Sequence, residues 1–317
     1  MIESVVKVAL PVAESLHIKR NRFNGEVGGK RVAIVTGSHG DELEGQYLCF
    51  RLAQEIETLK IKGKLKGTVD IYPALNPLGV DSITRNIPPF DVDMNRTFPG
   101  TESGTLPELV AKEVLDSLAG ADLVIDIHSS NIFLREIPQV RMDEENSKKL
   151  IPLAKEINVD FLWVYPAITV LNSTLAHSLN SIGTKTLVVE MGVGMRITEQ
   201  YGEQLLEGIL NVLSKLEVIE CGREFDIRTP LISYGEEVHF INSTHSGVFI
   251  PKIKHWIGIK KGDLLGYVVD VLGGEILHAV VSPCDGVVFT LREYPIVYEG
   301  SLLARIYENR SCERGQV

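Results

Sequence analysis

His39 and Glu42 stand three residues apart in Gly37-Ser38-His39-Gly40-Asp41-Glu42-Leu43-Glu44-Gly45. At that spacing a turn entering a helix can aim an imidazole and a carboxylate at one point, supplying two of the three protein ligands of a catalytic zinc site of the His, His, carboxylate type. The H-x-x-E pattern also arises by chance as a solvated histidine near a helix start, so alone it does not separate ligand from bystander. A second histidine, His128, ends the apolar run Asp122-Leu123-Val124-Ile125-Asp126-Ile127-His128. A third run, Thr186-Leu187-Val188-Val189-Glu190, delivers a carboxylate where burial would otherwise be expected, and such a group needs a partner or a task. Beside zinc, a glutamate can take a proton from water and return it to a leaving amine; alone, Glu190 would read as a salt-bridged strand end.

Asp126 alternates onto the same strand face as His128, placed either to accept a hydrogen bond from a ligand imidazole or to bind backbone at the strand end. The connection from Val80 to Ser103 is rich in Pro, Asp, Asn and Arg and is expected to cross the surface near the site. It carries Arg85 and the run Asp91-Val92-Asp93-Met94-Asn95-Arg96. A guanidinium grips a carboxylate with paired hydrogen bonds and an adjacent Asn adds a donor. The competing reading is a loop salt bridge to Asp91 or Asp93.

The elements that must position these groups alternate strand and helix, which points to an α/β sheet. Arg31–Thr36 is a strand, and Leu48, Leu52, Ile56 and Leu59 mark a helix from Glu44 towards Ile61. A strand over 69–74, a helix over about 105–118, the His128 strand, a helix over 147–157, a strand over 161–165, the Glu190 strand and a helix over 199–216 follow. Residues 1 to about 30 read as an edge strand and a turn, and the polar stretch Phe133 to Asn146, with Arg135 and Arg141, as a rim or lid. From about Gly222 the pattern changes to short β-type runs and many glycines. Two domains are therefore expected, 1–221 and 222–317. His239, His245, His255 and His278 are scattered through the second without ligand spacing and read as surface or satisfied histidines.

The 317 residues are 44% hydrophobic and 23% charged, enough for a sizeable core. A formal charge of −10 and a pI near 5.4 argue against nucleic acid and anionic membranes as partners. Cys49, Cys221, Cys284 and Cys312 lack C-x-x-C pairing, and the start of the chain lacks a signal peptide's pattern. A cytoplasmic location with reduced thiols is the expectation. Homo-oligomerisation stays open, since one sequence displays no interface.

Taken together, GSHGDELEG, DMNRTFPG, DIHSS and VVEMG resemble, in order and separation, the succinylglutamate desuccinylase/aspartoacylase family of the zinc carboxypeptidase clan over residues 30–220. The resemblance implies a zinc carboxypeptidase-like mixed sheet flanked by helices, with one Zn2+ per chain held by His39, Glu42 and His128. It further implies Glu190 as general base and acid, Asn95 and Arg96 on the substrate carboxylate, and Arg85 beside the scissile carbonyl. Tyr165, lying between His128 and Glu190 in the chain, is the candidate for a substrate-capping tyrosine. The implied activity is hydrolysis of the amide of an N-acyl amino acid or similar small carboxylate; the alternative is a carboxypeptidase acting on small peptides. The C-terminal region resembles a lipoyl or biotinyl barrel in KKGDLLGYV, SPCDGVV and YEGSLLARI. Its expected hairpin, 270–275, has no lysine to carry a cofactor, so it reads as a barrel shaping the entrance or an oligomer contact.

Overall fold

Runs of apolar and β-branched residues that can be covered on both faces build the centre of one sheet. In the computed structural model, which describes residues 1–166 and 172–308, the first part contains eight strands. These are β1 (Ile2–Ala9), β2 (Ser15–Asn24), β3 (Arg31–Thr36), β4 (Thr68–Tyr72), β5 (Leu123–Ser129), β6 (Leu134–Asp143), β7 (Phe161–Tyr165) and β8 (Thr186–Gly192). The α-helices are α1 (Glu44–Ile61), α2 (Pro77–Ser82), α3 (Leu106–Leu118), α4 (Glu144–Ala154), α5 (Leu175–Ser181) and α6 (Glu199–Lys215). Cys312 lies outside the described residues.

Strands β3, β4, β5 and β8 run parallel, and β1, β2 and β6 join antiparallel, giving a mixed α/β sheet. Alternation along β3 sorts its side chains into two cores. Val32 and Ile34 pack with Leu48, Leu52 and Ile56 of α1 and Leu205, Ile209 and Leu213 of α6. Ala33 and Val35 pack with Val110, Val114 and Leu118 of α3 and Leu175 and Leu179 of α5. Helices on both faces leave the strand ends as the open crevice of the sheet.

Two expectations change. Residues 1–24 form a hairpin of two strands, β2 pairing with β4, rather than a single edge strand. The stretch read as a rim or lid is β6, a ten-residue strand whose side chains are mostly buried. Its polar residues hid it, because their charges are matched within the strand and by side chains far away in the sequence. Helix α4 begins at Glu144, three residues before the expected start, with the Asp143 carboxylate accepting from Asn146 N at 2.7 Å as its cap.

The C-terminal part is all β: β9 (Leu231–Ser233), β10 (Val238–Asn242), β11 (Gly247–Pro251), β12 (Gly258–Ile259), β13 (Leu264–Asp270), β14 (Glu275–Val281), β15 (Gly286–Arg292), β16 (Ile296–Val297) and β17 (Leu302–Glu308). A four-stranded sheet, β14-β13-β11-β16, packs over its own core of Phe249, Leu265, Val268, Val280, Val288 and Ile306. The large sheet continues from β8 through β6 into β15, β17 and β10, with Leu134, Arg135 and Glu136 paired to Arg292, Leu291 and Thr290. The β-rich region is thus hydrogen-bonded edge to edge with the α/β region. No helix among the described residues is long and apolar enough to cross a membrane.

Candidate active site

Three neighbouring parallel strands deliver the chemistry at the same end. The turn after β3 carries His39 and Glu42; β5 carries His128, whose register partner on β8 is Glu190. Gly40 lets that turn lie against the start of the Val80–Ser103 connection: a Cβ there would sit 1.9 Å from the Gly79 carbonyl carbon, and Gly40 N donates to Thr84 O at 3.0 Å.

His39 Nδ1 lies 2.7 Å from Glu42 Oε1, and His128 Nδ1 lies 3.0 Å from Glu42 Oε2. All three side chains are nearly fully buried, and their ligand-type atoms lie within 4.8 Å of one another. Each imidazole turns its other nitrogen to a carboxylate. His39 Nε2 is 3.0 Å from Asp93 Oδ1, and His128 Nε2 is 3.1 Å from Asp126 Oδ2. The second contact is poorly aligned for a hydrogen bond, so its value is electrostatic; both Asp126 oxygens and His128 Nε2 are buried with no hydrogen-bond partner. A carboxylate behind each imidazole and a shared carboxylate between them is the arrangement that orients histidines on a metal. This donor set therefore fits a divalent cation of the zinc class.

Electrostatics follow from the geometry. Burial pushes the Glu42 carboxyl up, but the two imidazoles outweigh it and hold the group down at about 2. Burial likewise opposes charge on His39 and His128; Glu42 with Asp93, and Asp126 with Glu42, overcome it and raise both imidazoles. Glu190 moves the other way from Glu42. Burial raises it, against the nearby Arg141 guanidinium, whose Nη1 donates to Glu190 Oε1 at 3.5 Å.

The eight residues that the family resemblance implicates line one cavity of about 740 Å3: His39, Glu42, His128, Glu190, Arg85, Asn95, Arg96 and Tyr165. Arg85 bridges Glu42 Oε1 at 3.0 Å and Asp93 Oδ2 at 3.1 Å. The loop salt bridge considered for these arginines is thus present at Arg85, inside the site. Asp93 also accepts from Asn95 N at 2.8 Å, fixing the turn 94–96. Asn95 Oδ1 accepts from Leu175 N at 2.9 Å, and the exposed Arg96 donates to the Asn95 carbonyl at 2.7 Å. Burial pushes the Tyr165 phenol up to about 12, so it stays a hydrogen-bond donor.

Sequence reasoning missed a second layer beside Glu190, on the neighbouring strand β6. Glu136 of β6, 2% exposed at its side chain, accepts from Arg141 Nη2, from Arg305 Nη1 of β17 and from Gln139 Nε2 at 2.9 Å. Both guanidiniums face the Trp163 ring, with their carbons 5.4 and 5.3 Å from its centroid. Arg305 and Phe240 of the β-rich region also line the cavity. No local signal could have revealed these partners, because 169 residues separate Glu136 from Arg305. Asp93 carried a weak signal, an acid two residues before Asn95.

Comparison with known proteins gives concordant results. Residues 28–216 match the succinylglutamate desuccinylase/aspartoacylase catalytic domain. The N-alpha-acetyl-L-2,4-diaminobutyric acid deacetylase of Halomonas elongata is 28% identical over 287 residues, covering 88% of this chain and 82% of that protein. Among solved structures, a succinylglutamate desuccinylase/aspartoacylase from Rhodobacter sphaeroides superposes with a TM-score of 0.80 at 23% identity, covering 97% of this chain and 96% of that one. The product-bound ectoine utilization protein EutE of Ruegeria pomeroyi gives 0.80 at 21% identity, covering 96% and 93%. These two structures share the fold, and the match over residues 28–216, more than half the chain, places it in the succinylglutamate desuccinylase/aspartoacylase family.

Proposed function

We propose that this chain is a zinc-dependent amidohydrolase that removes the acyl group from an N-acyl amino acid or similar small carboxylate. The observation that carries the reading is the convergence of His39, Glu42 and His128 on one point, with Glu190 in register beside His128 and arginines lining the same cavity. The deacetylase activity of the Halomonas elongata relative supports the substrate class.

The ion would be held by His39, Glu42 and His128, and the chemistry it supplies when bound is Lewis acidity, which acidifies water and polarises a carbonyl. Glu190 takes the proton from the attacking water as the carbon–oxygen bond forms. It then gives that proton to the amine nitrogen as the carbon–nitrogen bond breaks. Burial raises its pKa, the direction needed by a group that must hold a proton before giving it up. Asn95 and Arg96 bind the substrate carboxylate, which sets the distance from the amide to Glu190. Arg85 uses its donors not engaged by Glu42 and Asp93 to stabilise the carbonyl oxygen as it gains charge. Tyr165 donates to the bound substrate from the cavity wall.

The test is a release assay with zinc-replete protein over N-acetyl and N-succinyl amino acids, N-acetyl-diaminobutyrate among them, against dipeptides. Deacylation well above dipeptide cleavage is expected. Dipeptide cleavage without deacylation would transfer the site to a carboxypeptidase.

A further inference from the structure

Outside the cavity, His239, Cys284 and Glu308 bring an imidazole nitrogen, a thiol and a carboxylate oxygen within 4.8 Å of one another. We propose that they form a second divalent-metal site, of the zinc class and containing a thiolate, at one end of the C-terminal β unit. Nothing in the chemistry of the cavity calls for it, and none of the three residues lines that cavity.

The backbone explains the convergence. Ala304 and Ile306 of β17 face the interior of the β unit and are fully buried, and alternation puts Glu308 next in that row, where the core gives out. His239 of β10 is the register partner of Ile306, so it stands on the same face beside Glu308, with Nε2 3.1 Å from Glu308 Oε2. The register partner of Glu308 on β15 is Gly286, where β15 approaches β17 so closely that a Cβ would lie 2.2 Å from Tyr307 O, which brings the Cys284 turn next to the end of β17. Cys284, two residues earlier and 6% exposed, belongs to the same core. Ser282 Oγ pins its turn, donating to Cys284 O at 2.7 Å and accepting from Cys284 N at 3.4 Å.

Imidazole, thiolate and carboxylate together make a borderline-soft donor set, which selects zinc-class ions over magnesium or calcium. A tetrahedral zinc at ordinary bond lengths places its ligand atoms roughly 3.3 to 3.6 Å apart. The nitrogen and oxygen, 3.1 Å apart, are already close to that spacing, and the sulfur, within 4.8 Å of both, closes by a side-chain movement. His239 and Glu308 are 36% and 30% exposed at their side chains, so an ion and a water as fourth ligand can reach the site from solvent. On binding, the Cys284 S–H bond breaks, the sulfur lone pair goes to the metal and the proton goes to solvent. Spacing could not show this site in the sequence, because residues 239, 284 and 308 meet only through strand pairing. The plain alternative is a His239–Glu308 ion pair beside an inert thiol.

Cobalt(II) distinguishes the alternatives, because the cavity cluster contains no sulfur. The full chain, stripped with chelator, is titrated with Co2+ and read by absorbance, then with Zn2+ and read by bound-metal analysis. Expected is a near-ultraviolet thiolate-to-cobalt band in the wild type and in His128→Ala, lost in Cys284→Ser. Zinc should bind at two equivalents in the wild type and one in either variant. His239→Gln, at a partly exposed position, should weaken the cobalt band's midpoint at least tenfold. That variant decides the matter should Cys284→Ser fail to fold. No thiolate band at saturating cobalt, a band that survives Cys284→Ser, or an unchanged midpoint in His239→Gln overturns the proposal. Because the readout is sulfur ligation, it stands or falls separately from any deacylase activity.

Discussion

Carboxylates in one cavity can be pushed in opposite directions, and the proposed acid–base role of Glu190 draws on that separation. Glu42 and Glu136 are lowered by the cations around them, while burial raises Glu190. Glu190→Gln keeps the side chain's shape but cannot carry the proton. We expect kcat to fall by about 10^2- to 10^4-fold with little change in zinc content, which steady-state kinetics on metal-replete protein will check. Undiminished turnover would remove the role. The raised pKa values of His39 and His128 predict a second behaviour. A protonated imidazole cannot ligate, so below those raised values each histidine must shed a proton to bind metal, and zinc affinity at this cluster falls as pH falls. For two imidazoles the slope approaches roughly two log units per pH unit. It is measured by competition with a chelator of known affinity, on Cys284→Ser so that only the cavity cluster reports, and a flat profile would contradict it. Residues at this scale were legible in the sequence where they ended a strand, as His128 and Glu190 do. Asp93 was legible only as a salt-bridge partner for the arginines, because nothing local tells that its turn faces His39.

Among the elements, β6 carries more of the site than its sequence suggests. Its polar residues Arg135, Glu136, Gln139 and Arg141 read as exposed, yet its burial comes from pairing with β8 on one side and with β7 and β15 on the other. Helices such as α1 and α6 were readable because their apolar stripe is written within one segment. Besides the Glu136–Arg141 pair within it, the neutralising partners of β6 arrive from β8 and β17. Glu136→Gln leaves Arg305 without its carboxylate and Arg141 with only Glu190. Removing one member of a buried pair costs about 3 to 5 kcal/mol, and partial exposure of both arginines reduces this to about 2 to 3 kcal/mol. Urea denaturation at neutral pH should show that loss as a lower midpoint with unchanged slope. Burial raises Glu136 but the two arginines outweigh it and depress its pKa below the ordinary 4.5. Its contribution is therefore full above pH 4.5 and disappears as pH falls through the depressed value, so wild type and variant should converge in acid. A difference that persists in acid would place the effect in packing rather than charge.

For the whole molecule, the change of composition near Gly222 marked a real change of architecture, but not the pairing that crosses it. Alternating strand and helix gave away the α/β class, since each element's periodicity is local. Strand order was hidden, because β15 pairs with β6, a strand that lies far earlier in the chain. We infer that residues 1–221 do not fold stably alone. Truncation there strips β15 from Leu134–Glu136 and takes Arg305 from Glu136. The truncated chain should aggregate or lack a cooperative thermal transition by circular dichroism; a soluble, cooperatively melting fragment would show that the first region is self-sufficient.

Anomalous diffraction at the zinc edge, from crystals of the full chain supplied with zinc, examines the cavity most directly. We predict a peak within bonding distance of His39 Nδ1, His128 Nδ1 and a Glu42 carboxylate oxygen, with Glu190 facing it. Saturated crystals of active protein with no density at those three side chains would contradict the account.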